Sequence, residues 1–71
     1  MNLTASAERI LSFSERQVLQ LISEGCSIEE ISVVLLLSPY TIESLKHSIS
    51  KKLDTYYITE AVQKARAMNL I

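Results

Sequence analysis

The chain has 71 residues, enough for one domain or for a piece of a larger protein, and 48% of them are apolar, with one glycine, one proline and one cysteine. That composition excludes disorder and an internal disulfide, and it favours an all-helical class built on one small core. The formal net charge is −1, so the chain lacks the broad cationic surface that attraction to phosphate ordinarily calls for.

Residues 1–10 carry no element signal and read as an N-terminal arm, flexible at the chain end. No basic stretch followed by an apolar run marks a signal peptide, and the longest apolar run, Val33 to Leu37, is too short to span a bilayer. The expected setting is therefore cytoplasmic, with no membrane partner. A first helix starts at Ser12, with Glu15 completing a capping box, or at Ser14 with Gln17. Val18, Leu19 and Ile22, with Leu21 beside them, form its apolar stripe, and Gly25 ends it as a left-handed stop.

Ser27 and Glu30 form the next capping box, opening a second helix from Ile28 to Leu36 with Ile31 and Leu35 inward. Ser38 followed by Pro39 is the other common start signal, a serine cap with proline at the first helical position. Only Leu36 and Leu37 lie between these two helices, which is the connection of a helix-turn-helix. The third helix runs from Pro39 to Leu53. Ile42, Leu45, Ile49 and Leu53 form its inward face, leaving Tyr40, Glu43, Ser44, His47, Ser48 and Lys51 outward. Three lysines against one glutamate give it a net +2 with His47 neutral. Asp54 and Thr55 break the pattern. A fourth helix begins near Ile58 or Thr59, with Ile58, Ala61, Val62, Ala65 and Met68 on one arc and Asn69 as a left-handed stop. The expected fold is all-α, a four-helix, bundle-like domain over residues 11–71 that contains a helix-turn-helix.

Several of these residues recur together in a known family. The run Leu11 to Leu19 (with its Glu15-Arg16 pair and Val18-Leu19 step), the stop and restart Glu24-Gly25-Cys26-Ser27, the Glu30-Ile31 step, Leu37-Ser38 followed by Thr41-Ile42, then Ile49, Lys51-Lys52-Leu53 and Glu60-Ala61-Val62, resemble the LuxR-type (GerE-like) DNA-binding domain. The resemblance runs without a gap from Leu11 to Ile71. It implies a transcription regulator that lays its third helix in the DNA major groove and pairs through its fourth. The chain departs from the family pattern at four positions. Glu43 stands where a basic residue is usual, Leu45 where histidine is usual, Glu29 where lysine is frequent, and Ile58 where arginine is common. Val33, Val34 and Leu36 occupy positions that are usually polar or mixed.

Lys46, Lys51 and Lys52 are the candidate backbone contacts, because a phosphate contact needs only a flexible cation within reach. Glu43, Ser44, His47 and Ser48 are the candidates for base edges, and Thr41 for a phosphate. Each also has an ordinary role open to it. Glu43 can pair with Lys46 or His47, Thr41 can be satisfied locally, and the lysines can complement the helix dipole. The fourth helix presents Thr59, Gln63, Arg66 and Ala67 as a dimer face, and Val33 and Val34 form a candidate partner contact. Tyr56 and Tyr57 serve either an interface or a loop with one ring packed on the core. Cys26 reads as a small, half-buried apolar residue. One histidine with one cysteine makes no metal set, and no nucleophile–base pair or phosphate loop is visible. No cofactor, metal, small-molecule ligand or enzymatic activity is expected. The expected function is that of a stand-alone DNA-binding transcription regulator, acting on duplex DNA as a homodimer or as a heterodimer with a related regulator. The other reading is a degenerate helix-turn-helix that has lost DNA binding and serves as a protein-interaction module or anti-regulator.

Overall fold

The computed structural model describes residues 10–71, so the arm expected at residues 1–10 lies outside the described residues but for Ile10. Four helices follow in order: α1 (Phe13–Ser23), α2 (Ile28–Leu35), α3 (Pro39–Lys52) and α4 (Ile58–Ala67). The described residues contain no strand, and none of their helices is long and apolar enough to cross a membrane. The all-α architecture with a central helix-turn-helix is the one the serine caps and apolar spacing lead to.

Each helix start satisfies backbone N–H groups that would otherwise have no partner. At α1, the Ser12 hydroxyl accepts from the Glu15 amide at 3.1 Å and the Glu15 carboxylate accepts from the Ser12 amide at 2.7 Å, which settles the start on Ser12 rather than Ser14. Ser27 and Glu30 repeat the arrangement at α2 with the same pair of distances, 3.1 and 2.7 Å. Ser38 accepts from the Thr41 amide at 3.1 Å, and Pro39 begins α3. At α4 the side chain of the N-cap residue, Tyr57, makes no cap hydrogen bond, and the Glu60 carboxylate accepts from the amides of Tyr56 and Tyr57 at 3.1 and 2.9 Å.

The helix ends separate a residue suited to its conformation from one that is not. Gly25 closes α1 at φ 90° with open space where a Cβ would stand, so its value there is conformational freedom. Asn69 closes α4 at φ 59°, as a residue tolerant of the left-handed region can. Leu36 does the same at the end of α2, at φ 56°, and thereby stops that helix at Leu35, one residue short of the expected end. A leucine is poorly suited to this region because its Cβ crowds the backbone. Leu36→Gly is expected to raise stability by roughly 0.5–1 kcal/mol, the relief being offset in part by the freedom glycine adds to the unfolded chain. A higher urea midpoint with unchanged slope is the reading that checks it.

The core is formed by Leu11, Val18, Leu19, Ile31, Ile42, Ile49, Leu53, Ala61, Ala65 and Leu70. α3 lies against all three other helices, so its inward face is the centre of the molecule and its outward face is held rigidly by it. Leu35 and Leu45 are half-buried at the margin. Two expectations need correction. Met68 is exposed rather than inward: the left-handed turn at Asn69 folds the chain back, the Leu70 amide donates to the Ala65 carbonyl at 2.8 Å, and Leu70 fills the core in its place. Neither Tyr56 nor Tyr57 packs into the core. Both rings are exposed, edge to face at 5.1 Å.

Candidate nucleic-acid interface

The side of α3 opposite the core carries Tyr40, Glu43, Ser44, His47 and Lys51, all exposed and spaced by three and four residues. This is the solvent stripe that period-3.6 spacing dictates once Ile42 and Ile49 are buried. Within it, the Lys46 ammonium lies 3.4 Å from the Glu43 carboxylate, one helical turn away. One lysine charge near the middle of the helix is therefore partly matched by the acid beside it. Lys51 and Lys52, in the last turn, sit where the helix dipole favours cations.

The other candidate contacts turn toward the protein. Thr41 and Ser38 share a hydroxyl hydrogen bond at 2.9 Å across the start of α3. Ser48 donates to the Glu15 carboxylate at 2.5 Å, and the Lys52 ammonium donates to the other oxygen of that carboxylate at 2.7 Å. Glu15 is the one charged side chain buried among the described residues, at 3% exposure. Burial by itself pushes its carboxyl upward. The hydrogen bonds from Lys52, Ser48 and the Ser12 amide, with the Lys52 charge, outweigh that and lower it to about 2. The same carboxylate thus caps α1 and fixes one edge of α3. Sequence spacing shows Glu15 only as a local cap; its signal for a larger role is that Ser48 and Lys52 stand four residues apart on one helix edge.

Beside the stripe, a cleft of about 380 Å³ opens between α3 and the loop before α4, lined by Glu43, Lys46, His47, Ser50, Tyr56, Tyr57 and Ile58. The exposed tyrosine pair at its edge had only its composition to mark it in the sequence. On α4, Thr59, Gln63, Arg66 and Ala67 are exposed together on one face. Arg66 also donates to the Ser23 carbonyl at 3.1 Å, tying α4 to the end of α1. Val33 and Val34 both face solvent on α2. Among the described residues no three His, Cys, Asp or Glu side chains gather as a metal set. Chemically, the stripe offers a mixed polar surface with hydrogen-bonding groups at its centre and cations toward its C-terminal end.

A sequence model described as "Bacterial regulatory proteins, luxR family" matches residues 9–65. The chain is also similar to the "Uncharacterized response regulatory protein YgeK" of Escherichia coli (strain K12), with 35% identity over 65 residues, covering 92% of this chain and 44% of that protein. The chain thus spans less than half the length of this curated relative.

Proposed function

The chain belongs to the luxR family of bacterial regulatory proteins, a family of DNA-binding regulators, and on that premise we propose that it docks α3 in the major groove of duplex DNA as a dimer. The observation that carries this reading is the outward stripe of α3, from Tyr40 to Lys51, left open along a 14-residue helix whose other face is locked into the core. A helix of that length reaches about 21 Å, enough to lie along the groove floor and bring both ends to the flanking backbones.

Ser44 and His47 face the base edges. Glu43 accepts from a cytosine amine, the readout open to an acid in the major groove. Lys51 neutralises a phosphate, and Lys46 adds a second cation partly balanced by Glu43. Thr41, held by Ser38, presents its hydroxyl at the entry of the groove. Ser48 and Lys52 act mainly through Glu15, as the inner edge that fixes the pitch of α3. The small polar face of α4 (Thr59, Gln63 and Ala67, with Arg66 anchored behind it) supports pairing with a second copy or with a related regulator. Two recognition helices then sit about 34 Å apart, one turn of DNA.

Methylation of guanine N7, which projects into the major groove, tests this placement on duplexes selected from a random pool. Interference is expected at two guanine clusters about one helical turn apart. Interference confined to minor-groove adenines, or to a single cluster, contradicts the reading. The two adjacent lysines also separate. Lys51→Ala is expected to reduce the salt slope of DNA binding by about 0.9 per protomer. Lys52→Ala is expected to leave the slope nearly unchanged and to lower the urea midpoint instead, because its charge already faces Glu15.

A further inference from the structure

The outer flank of α2 combines features that folding alone does not call for. Val33, Val34 and Leu36 are 75%, 60% and 88% exposed, three large aliphatic side chains within four residues. The valines line an apolar depression of about 430 Å³ with Cys26 at one side and Glu29 and Glu30 at its N-terminal end. Leu36 follows in a left-handed conformation that glycine or asparagine adopts more easily. A leucine there gains nothing from burial and is disfavoured by its backbone. Unfavourable local structure of this kind is retained where it presents a side chain to something else.

The charges of the face say what that is. Neither Glu29 nor Glu30 has a lysine or arginine of the described residues at ion-pair distance. The Glu30 carboxylate takes up the Ser27 amide in the cap of α2, but both acids add negative charge to this face and repel a polyphosphate, so duplex DNA does not cover this flank. A second copy fits no better. Two such faces packed in parallel set carboxylates against carboxylates, and packed antiparallel they lay carboxylates on the partner's valines with no cation to match them. The missing complement is a surface with aliphatic groups at one end and cations at the other.

We infer that this flank of α2 receives an amphipathic, cationic helix of another protein. Its aliphatic side chains cover Val33, Val34 and Leu36, and its lysines or arginines meet Glu29 and Glu30. The contact is separate from the α3 stripe and does not depend on the DNA reading.

The test uses the whole 71-residue chain, labelled for amide NMR, and two short synthetic helical peptides with identical leucines, one carrying lysines and its twin carrying glutamates at the same positions. The lysine peptide is expected to shift amides from Cys26 to Leu36 and to bind about tenfold or more tighter than its twin. Leu36→Gly is expected to weaken that binding about tenfold while melting at a higher temperature than the parent, a combination that misfolding cannot produce. Val33→Asp is expected to abolish it. Equal binding of the twins overturns the inference. So do shifts confined to α3, undiminished binding by Leu36→Gly, and closure of this flank by a second copy as concentration rises.

Discussion

Replacing Glu15 by alanine is expected to lower the stability of the domain by about 2–3 kcal/mol, a large share of what a chain of this size possesses. The change removes the acceptor of the Ser12 amide, of the Ser48 hydroxyl and of the Lys52 ammonium together. A carboxyl lowered from 4.5 to about 2 corresponds to about 3 kcal/mol of preference for the charged form. The Lys52 side chain is 44% exposed, and solvent screening trims its part of that figure, which is why the lower bound is about 2 kcal/mol. Glu15→Gln keeps an acceptor for the cap and is expected to lose roughly half as much. Urea unfolding of the three proteins at neutral pH gives the comparison directly. The same carboxyl sets an acid limb. Its folded value lies below its unfolded one, so the stability it contributes is complete above 4.5 and is lost as pH falls from there toward about 2. Glu15→Gln is expected to lack that part of the acid sensitivity while other carboxylates keep theirs.

Glu43→Lys is expected to tighten binding to duplex DNA by about tenfold or more at low salt and to steepen its salt dependence by about 1–2 in log–log slope per protomer. Two changes act together. An acid on the open stripe of α3 becomes a cation, and Lys46 is released from its 3.4 Å ion pair. If Glu43 reads a cytosine in the parent, the gain is accompanied by loss of discrimination at that base pair, worth about 1–3 kcal/mol. Binding of matched and single-substituted duplexes by parent and variant, over a range of salt, resolves both effects. A variant that binds no tighter than the parent even to duplexes without that cytosine places Glu43 away from the polyanion.

Local signals were enough to lay out the helices. Ser12 with Glu15, Ser27 with Glu30, Ser38 with Pro39, and the stops at Gly25 and Asn69 are each decided by neighbours within a few residues. The outward stripe of α3 was legible for the same reason, since burying Ile42 and Ile49 leaves Glu43, Ser44, His47 and Lys51 nowhere else to go. What escaped was tertiary. Ser48 and Lys52 lie at the border of that stripe, and only the placement of α1 beside α3 shows that they meet Glu15, which is 33 and 37 residues away in the chain. The exchange of Met68 for Leu70 in the core follows from a single left-handed residue between them, which no periodic count anticipates. Leu36 defeats propensity outright, because a leucine invites a buried position and instead stands exposed at φ 56°.

The salt dependence of duplex binding bears most directly on the proposed role of α3. A dimer offering Lys46 and Lys51 from each protomer is expected to retard duplex DNA at low salt and to lose affinity along a log–log slope of roughly −2 to −4. The shallower limit applies if Glu43 keeps Lys46 occupied. Failure to bind any duplex from a random pool at low salt, or an affinity indifferent to salt, contradicts the reading of α3 as a nucleic-acid contact.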